Sequence, residues 1–90
     1  MRKAFKEIAK EELKSKGIKN VKITNEVFKN NKEHVYVEVK DYCESVIVRN
    51  ILKPLIKEVN SKNPYEYLVH VYIDYTDNPK GFEMINVHED

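Results

Sequence analysis

The spacing of apolar residues alternates between that of a helix and that of a strand, and this succession constrains the fold more than any other feature. Apolar residues recur every three or four positions over 2–16 and 41–62, and at alternate positions in the segments that follow each of these stretches. No repeat or linker-like tract divides the 90 residues. We therefore predict one compact α+β domain over residues 1–90, in the order α-β-β-α-β-β. Its two helices are expected on one face of a single, mainly antiparallel or mixed sheet.

The first half of the chain predicts a helix followed by a hairpin. The helix is expected from Arg2 to Lys16, with Gly17 as its C-terminal cap. The first strand is expected over 21–28, with Val21, Ile23 and Val27 on one side. Residues 29–33 read as the turn, because asparagine tolerates positive φ. The second strand then alternates strictly, with three inward valines and two outward residues: Val35, Val37 and Val39 inward, Tyr36 and Glu38 outward.

The following segment allows two interpretations. Asp41 and Glu44 have the spacing of a capping box that opens a helix. Pro54 and a β-branched run oppose a straight helix, so either a helix kinks near Pro54 or a strand reaches Arg49 and a shorter helix follows. The kinked helix is favoured because helical apolar spacing continues across the proline, at Ile47, Val48, Ile51, Leu52, Leu55, Ile56 and Val59.

The last third of the chain predicts two strands. A long strand is expected over 65–75, with one face formed by Tyr67, Val69, Val71 and Ile73 and the other by Leu68, His70, Tyr72 and Asp74. The segment 76–81 has the composition of a turn. The last strand is expected over 82–87, in a hairpin with the long strand through Ile85 and Val87.

Composition argues against several classes of function. Sixteen Lys and Arg against fifteen Asp and Glu leave a net charge of +1, without the basic excess common in nucleic-acid-binding domains. Cys43 is the only cysteine, so an intramolecular disulfide or a four-cysteine zinc site is impossible. Two glycines do not build a phosphate-cradling loop, and the three histidines lack the helical spacing of a metal motif. We predict no catalytic residues, no metal, no cofactor and no small-molecule substrate, and therefore a protein that is not an enzyme.

The location and origin of the protein are also predicted from composition. The N-terminal residues lack the apolar run of a signal peptide, and no segment approaches the roughly 18 apolar residues of a membrane span. We expect a cytoplasmic protein without a membrane partner. Fourteen lysines against two arginines, with no glutamine or tryptophan, suggest an AT-rich genome such as that of a low-GC bacterium or its phage.

The outward face of the sheet is the most suggestive surface. Tyr36 and Tyr72 point away from the apolar side of their strands, with His70 and Glu38 expected nearby. Exposed aromatic side chains anchor partners, and the acidic neighbours favour a protein. We predict a small protein-interaction module, such as a phage or mobile-element accessory factor that modulates a host protein or self-associates through the long or the final strand. Alternatively, the two tyrosines serve only to stabilise the sheet.

Nucleic-acid binding is the alternative function. It would use a lysine stripe formed by Lys6, Lys10, Lys14, Lys19 and Lys22 as phosphate contacts, together with the same tyrosines. The order of elements resembles that of type II K-homology domains. The Gly-x-x-Gly loop with which those domains clamp a nucleic-acid backbone is missing here, because Gly17 and Gly81 are the only glycines. The resemblance implies the order of elements and no binding residues.

Overall fold

The computed structural model describes residues 4–29, 32–62 and 68–87, with only the backbone at residue 62. This part of the chain contains two helices and four strands in the predicted order. The elements are α1 (Phe5–Ser15), β1 (Lys22–Val27), β2 (Lys32–Val39), α2 (Tyr42–Lys62), β3 (Leu68–Tyr75) and β4 (Glu83–Met84). The predicted α+β class and element order are therefore confirmed.

The four strands form one mixed sheet in the order β1-β2-β3-β4. β1 pairs antiparallel with β2, β2 pairs parallel with β3, and β3 pairs antiparallel with β4. The parallel pair is possible because α2 supplies the long crossover that parallel neighbours require. The long strand β3 is internal, so β1 and the short β4 are the edge strands.

Both helices cover the same face of the sheet, as predicted. Most of the inner face of β2 and β3 consists of five valines and one isoleucine that are at most 4% exposed. These residues pack with buried side chains of α1 and α2 and with Ile85 into one core: Phe5, Ala9, Leu13, Val35, Val37, Val39, Val48, Leu52, Ile56, Val69, Val71, Ile73 and Ile85. The inward and outward positions predicted for β2 and for residues 68–74 are correct.

A buried carboxylate joins β2 to the start of α1. The helix begins after Ala4, whose side chain cannot cap it. Instead, the carboxylate of Glu33 accepts hydrogen bonds from the backbone N–H groups of Phe5 (2.8 Å) and Lys6 (3.1 Å). It also accepts one from Asn25 Nδ2 at 2.9 Å. The predicted turn over 29–33 is therefore too long: β2 begins at Lys32, and Glu33 is fully buried.

The second helix is continuous from Tyr42 to Lys62 and contains Pro54. A helix that continues across Pro54 is thus confirmed, the kink near Pro54 stays a prediction, and the alternative strand up to Arg49 is wrong. Asp41 Oδ1 accepts a hydrogen bond from Glu44 N–H at 2.8 Å, as the predicted cap requires. Pro54 removes the hydrogen bond to the carbonyl of Asn50, but both residues are exposed, so water is available to that carbonyl.

The bounds of three elements and the surroundings of two apolar residues differ from the prediction. β1 spans Lys22–Val27 rather than 21–28. α1 ends at Ser15 rather than Lys16, and the predicted start at Arg2 lies outside the described residues. β4 contains only Glu83 and Met84, although Ile85 N–H still donates to Val71 C=O at 2.7 Å.

Val27 and Ile47, expected on apolar faces, are 64% and 54% exposed, because neither helix nor sheet covers them fully.

A side chain of α2 completes the ladder at the start of β3. Asn60 Oδ1 accepts a hydrogen bond from Val69 N–H at 2.9 Å, and Asn60 Nδ2 donates to Val69 C=O at 3.2 Å. β4 is too short to reach Val69, so the amide of Asn60 satisfies the backbone groups that a longer strand would pair. The predicted portion of β3 before Leu68 lies outside the described residues.

Candidate protein-binding surface

The outer face of the sheet carries the side chains that alternate with the core residues. Strand register places Thr24 beside Tyr36, Tyr36 beside Tyr72, and Tyr72 beside Met84, in one row across all four strands. A second row runs from Glu26 through His34 to His70. Within the described ranges, the helices pack on the opposite face.

Aromatic rings form a connected cluster on this face. The rings of Tyr36 and Tyr72 stack with centroids 5.3 Å apart and planes inclined by 17°. Phe82 meets the edge of Tyr36 at 5.5 Å, and His34 lies 5.5 Å from Tyr72. We call the whole set the outer aromatic cluster: Phe28, His34, Tyr36, His70, Tyr72 and Phe82.

The structure brings together all four residues predicted for this surface. Tyr36, Tyr72 and His70 belong to the outer aromatic cluster, and Glu38 lies directly opposite Asp74 on the neighbouring strand. All four side chains are half-buried, because neighbouring side chains cover part of each one.

Sequence reasoning missed three members of the cluster. His34 lies on the same outward face as Tyr36, but the predicted alternation begins only at Val35, after the predicted turn, and so does not include it. Phe28 follows β1 and lies with its ring 4.9 Å from that of His34. Phe82 was placed in a strand, whereas it precedes β4, so alternation did not indicate its contact with Tyr36.

Local electrostatics keep the centre of the surface uncharged. Partial burial and then the nearby carboxylate of Glu26 raise the pKa of Tyr36, whose hydroxyl donates to Glu26 Oε1 at 3.3 Å. Partial burial, reinforced by His34 and Lys32, lowers the pKa of His70 below its ordinary value of 6.5. Tyr36 is therefore a neutral phenol and His70 a neutral imidazole at pH 7.

Charges of both signs surround the aromatic rings. The outer faces of the strands carry two lysines and three acidic residues: Lys22, Lys32, Glu26, Glu38 and Asp74. Lys22 Nζ lies 3.6 Å from Glu38 Oε2. A phosphate backbone would approach more acidic than basic groups here. The mixed pattern fits a polypeptide better.

The lysine stripe is divided between the two sides of the sheet. Lys22 is on the outer face, whereas Lys6, Lys10 and Lys14 belong to α1, which packs on the inner face. Lys10 and Lys14 border an apolar cavity of about 210 Å³ between α1 and β1. Lys19 is exposed in the connection between these elements. The outer aromatic cluster therefore shares its face with only one of these lysines.

Other chemistry has little structural support in the described part of the chain. Cys43 is exposed in the first turn of α2. Among residues 4–29, 32–62 and 68–87, no group of three or more His, Cys, Asp or Glu is arranged to hold a metal ion. His88 lies outside the described residues.

Comparison with protein families, curated proteins and solved structures finds no match. The helices that the structure describes include none long and apolar enough to cross a membrane. The interpretation of the surface therefore depends on its own geometry and chemistry.

Proposed function

We propose that this protein is a small, non-enzymatic protein-interaction module that docks a partner protein on the outer face of its sheet. The main support for this proposal is the outer aromatic cluster, which is centred on the stacked rings of Tyr36 and Tyr72. Aromatic side chains combine a large contact area with few rotatable bonds, which suits them to anchor a partner.

Exposed apolar side chains at one end of the cluster extend the contact surface. Phe82 is 43% exposed and Met84 is 53% exposed. Both lie on the outer side of the sheet, because Phe82 meets Tyr36 and Met84 is opposite Tyr72. The half-buried tyrosines form the rigid base of the surface. Phe82 and Met84 supply the exposed apolar area that a partner would cover.

The chemistry of the surface defines the kind of partner. Aromatic rings bordered by Lys22, Lys32, Glu26, Glu38 and Asp74 favour a polypeptide segment with apolar side chains and charges of both signs. A phage or mobile-element protein that modulates a host protein fits this description. Lysine-rich composition is the support for that origin.

Nucleic-acid binding is the less supported alternative, because the lysine stripe is divided between two faces and the aromatic face has no basic excess. Fluorescence anisotropy with labelled single- and double-stranded DNA and RNA, at low and moderate salt, tests it directly. The protein-binding proposal predicts flat titrations. Tight binding that weakens steeply with salt and is lost in a Lys10→Gln/Lys14→Gln variant would instead support phosphate contacts by α1.

Capture experiments with matched variants test protein binding. Phe82→Ser/Met84→Ser removes two exposed apolar side chains from the outer face, and Val46→Ser/Ile47→Ser removes two from the exposed side of α2. The proposal predicts that the outer-face variant loses a specific partner that the wild-type protein and the α2 variant both retain. Equal capture by all three proteins would contradict it.

A further inference from the structure

β1 leaves a row of backbone hydrogen-bonding groups directed away from the sheet. Phe28 N–H donates to Lys32 C=O at 2.8 Å, so even-numbered residues of this antiparallel pair direct their backbone groups toward β2. The odd-numbered residues Ile23, Asn25 and Val27 therefore direct theirs to the opposite edge. No strand pairs with that edge among the described residues.

An apolar side chain and an apolar cavity lie along the same edge. Strand alternation places Val27 on the same inner face as Ile23, yet the Val27 side chain is 64% exposed. The cavity of about 210 Å³ between α1 and β1 is lined mainly by apolar side chains, among them Leu13, Val21 and Ile23, and its polar lining is Lys10, Lys14 and Asn20. Val27 is thus a largely exposed inner-face residue, and Ile23 borders the cavity in the same strand.

We propose that the β1 edge pairs antiparallel with β1 of a second copy, about a two-fold axis at Asn25. This register sets Ile23 of each copy directly opposite Val27 of the other. Each Val27 then lies on the inner face beside the cavity that Ile23 borders in the partner. This pairing therefore covers Val27 and the apolar cavity in both copies at once, as expected of a two-fold interface.

Backbone geometry also favours this register. Asn25 opposite Asn25, together with two Ile23–Val27 pairs, gives three hydrogen-bonded pairs and about six hydrogen bonds. A two-fold axis at Thr24 would give about four within β1; it would set Ile23 opposite Asn25 and leave Val27 opposite Val21, beyond the end of the partner's β1. Pairing at β1 would join two four-stranded sheets into one continuous sheet.

This inference is independent of the proposed outer-face function, because the two use different surfaces: Met84 belongs to β4 at the opposite edge of the sheet, and Phe82 lies on the outer face rather than along the β1 edge. Sedimentation velocity over a series from about 1 µM to about 1 mM tests it. The wild-type protein should shift from monomer to dimer with concentration. Val27→Lys should stay monomeric, because a lysine would be forced beside the apolar cavity at the paired edge.

Three further results test whether dimerisation depends on the β1 edge rather than on another surface. Ile47→Lys adds the same charge at an exposed isoleucine of α2 and should dimerise like the wild type, as should Phe82→Ser/Met84→Ser. In a Cys43→Ser background, Thr24→Cys/Glu26→Cys should form covalent dimers on oxidation, because Thr24 of one copy lies opposite Glu26 of the other. A wild-type protein that stays monomeric up to about 1 mM, or a Val27→Lys variant that dimerises like the wild type, would overturn the proposal.

Discussion

The rings of Tyr36 and Tyr72 stack across the parallel pair of β2 and β3, with their centroids 5.3 Å apart. Parallel register makes this contact possible because it places the two residues directly opposite each other on the outer face. The contact has two possible roles, since stacked rings stabilise a sheet and also form a rigid docking floor. The first two predictions separate the roles.

Stacking should appear as a coupling energy between the two tyrosines. In a double-mutant cycle of Tyr36→Leu and Tyr72→Leu, urea unfolding should give a coupling of about 0.5–1.5 kcal/mol. Tyr36→Phe retains the ring and loses only the hydrogen bond to Glu26, so it should preserve most of that coupling. Additive effects of the two leucine substitutions would show that the rings do not interact in solution.

Removing the exposed apolar rim should change the free energy of unfolding little. Phe82→Ser/Met84→Ser should lose less than about 1 kcal/mol in urea unfolding, because both side chains are about half exposed. Ile85→Ser is the comparison in the same segment, since Ile85 is 4% exposed and its loss should cost roughly 2–4 kcal/mol. A comparable loss in both variants would assign the rim to the core rather than to a docking surface.

The Glu33 carboxylate should be a major determinant of stability. Glu33→Ala removes the acceptor for Phe5 N–H, Lys6 N–H and Asn25 Nδ2, and should lower the free energy of unfolding by about 2–4 kcal/mol. Glu7→Ala, in the same helical turn but exposed, should cost well under 1 kcal/mol. Equal effects of the two substitutions in urea unfolding would show that the buried cap is dispensable.

The Asn60 amide should hold α2 against the start of β3. Asn60→Ala leaves Val69 N–H and C=O without partners, so it should cost about 1–3 kcal/mol and speed amide hydrogen exchange at Val69. Ser61→Ala, next in the helix but exposed, is the control and should change stability by less than about 0.5 kcal/mol. Unchanged exchange at Val69 in Asn60→Ala would contradict the role of this amide.

Stability should decrease with acidification because of His70. Its pKa in the folded protein lies below the ordinary value of 6.5, so the unfolded chain binds more protons as pH falls through that value. The contribution of neutral His70 is therefore present above about pH 6.5 and is lost toward its lower folded pKa. Thermal unfolding measured from about pH 7.5 downward through pH 6.5 should give a Tm that falls more for wild type than for His70→Gln. Parallel profiles for the two proteins would exclude His70 as the cause.

Periodicity predicted the helices and the inner face of the sheet because those features depend on local alternation. Val35, Val37 and Val39 are buried where the two-residue period places them. The pairing of Tyr36 with Tyr72 was not predictable, because strand order and parallel direction depend on where α2 returns the chain.

Buried polar contacts were the second limit of sequence reasoning. Glu33 looks like a turn residue in the sequence, and only its contact with the backbone of α1, 27 and 28 positions earlier, explains its burial. Sequence reasoning predicted only three of the six residues of the outer aromatic cluster, because the other contacts also depend on the tertiary structure. Tyr36, Tyr72 and His70 follow alternation, whereas the contacts of Phe28 and Phe82 depend on how the chain enters and leaves the sheet.

Docking of a protein on the outer face can be tested in cells. Quantitative mass spectrometry would compare the proteins cross-linked to the wild type, to Phe82→Ser/Met84→Ser and to Val46→Ser/Ile47→Ser. A partner should be enriched with the wild type and the α2 variant and depleted with the outer-face variant. That partner, once purified, should bind the three proteins with the same ranking. A partner that is lost with the α2 variant and retained by the outer-face variant would contradict docking on the outer face.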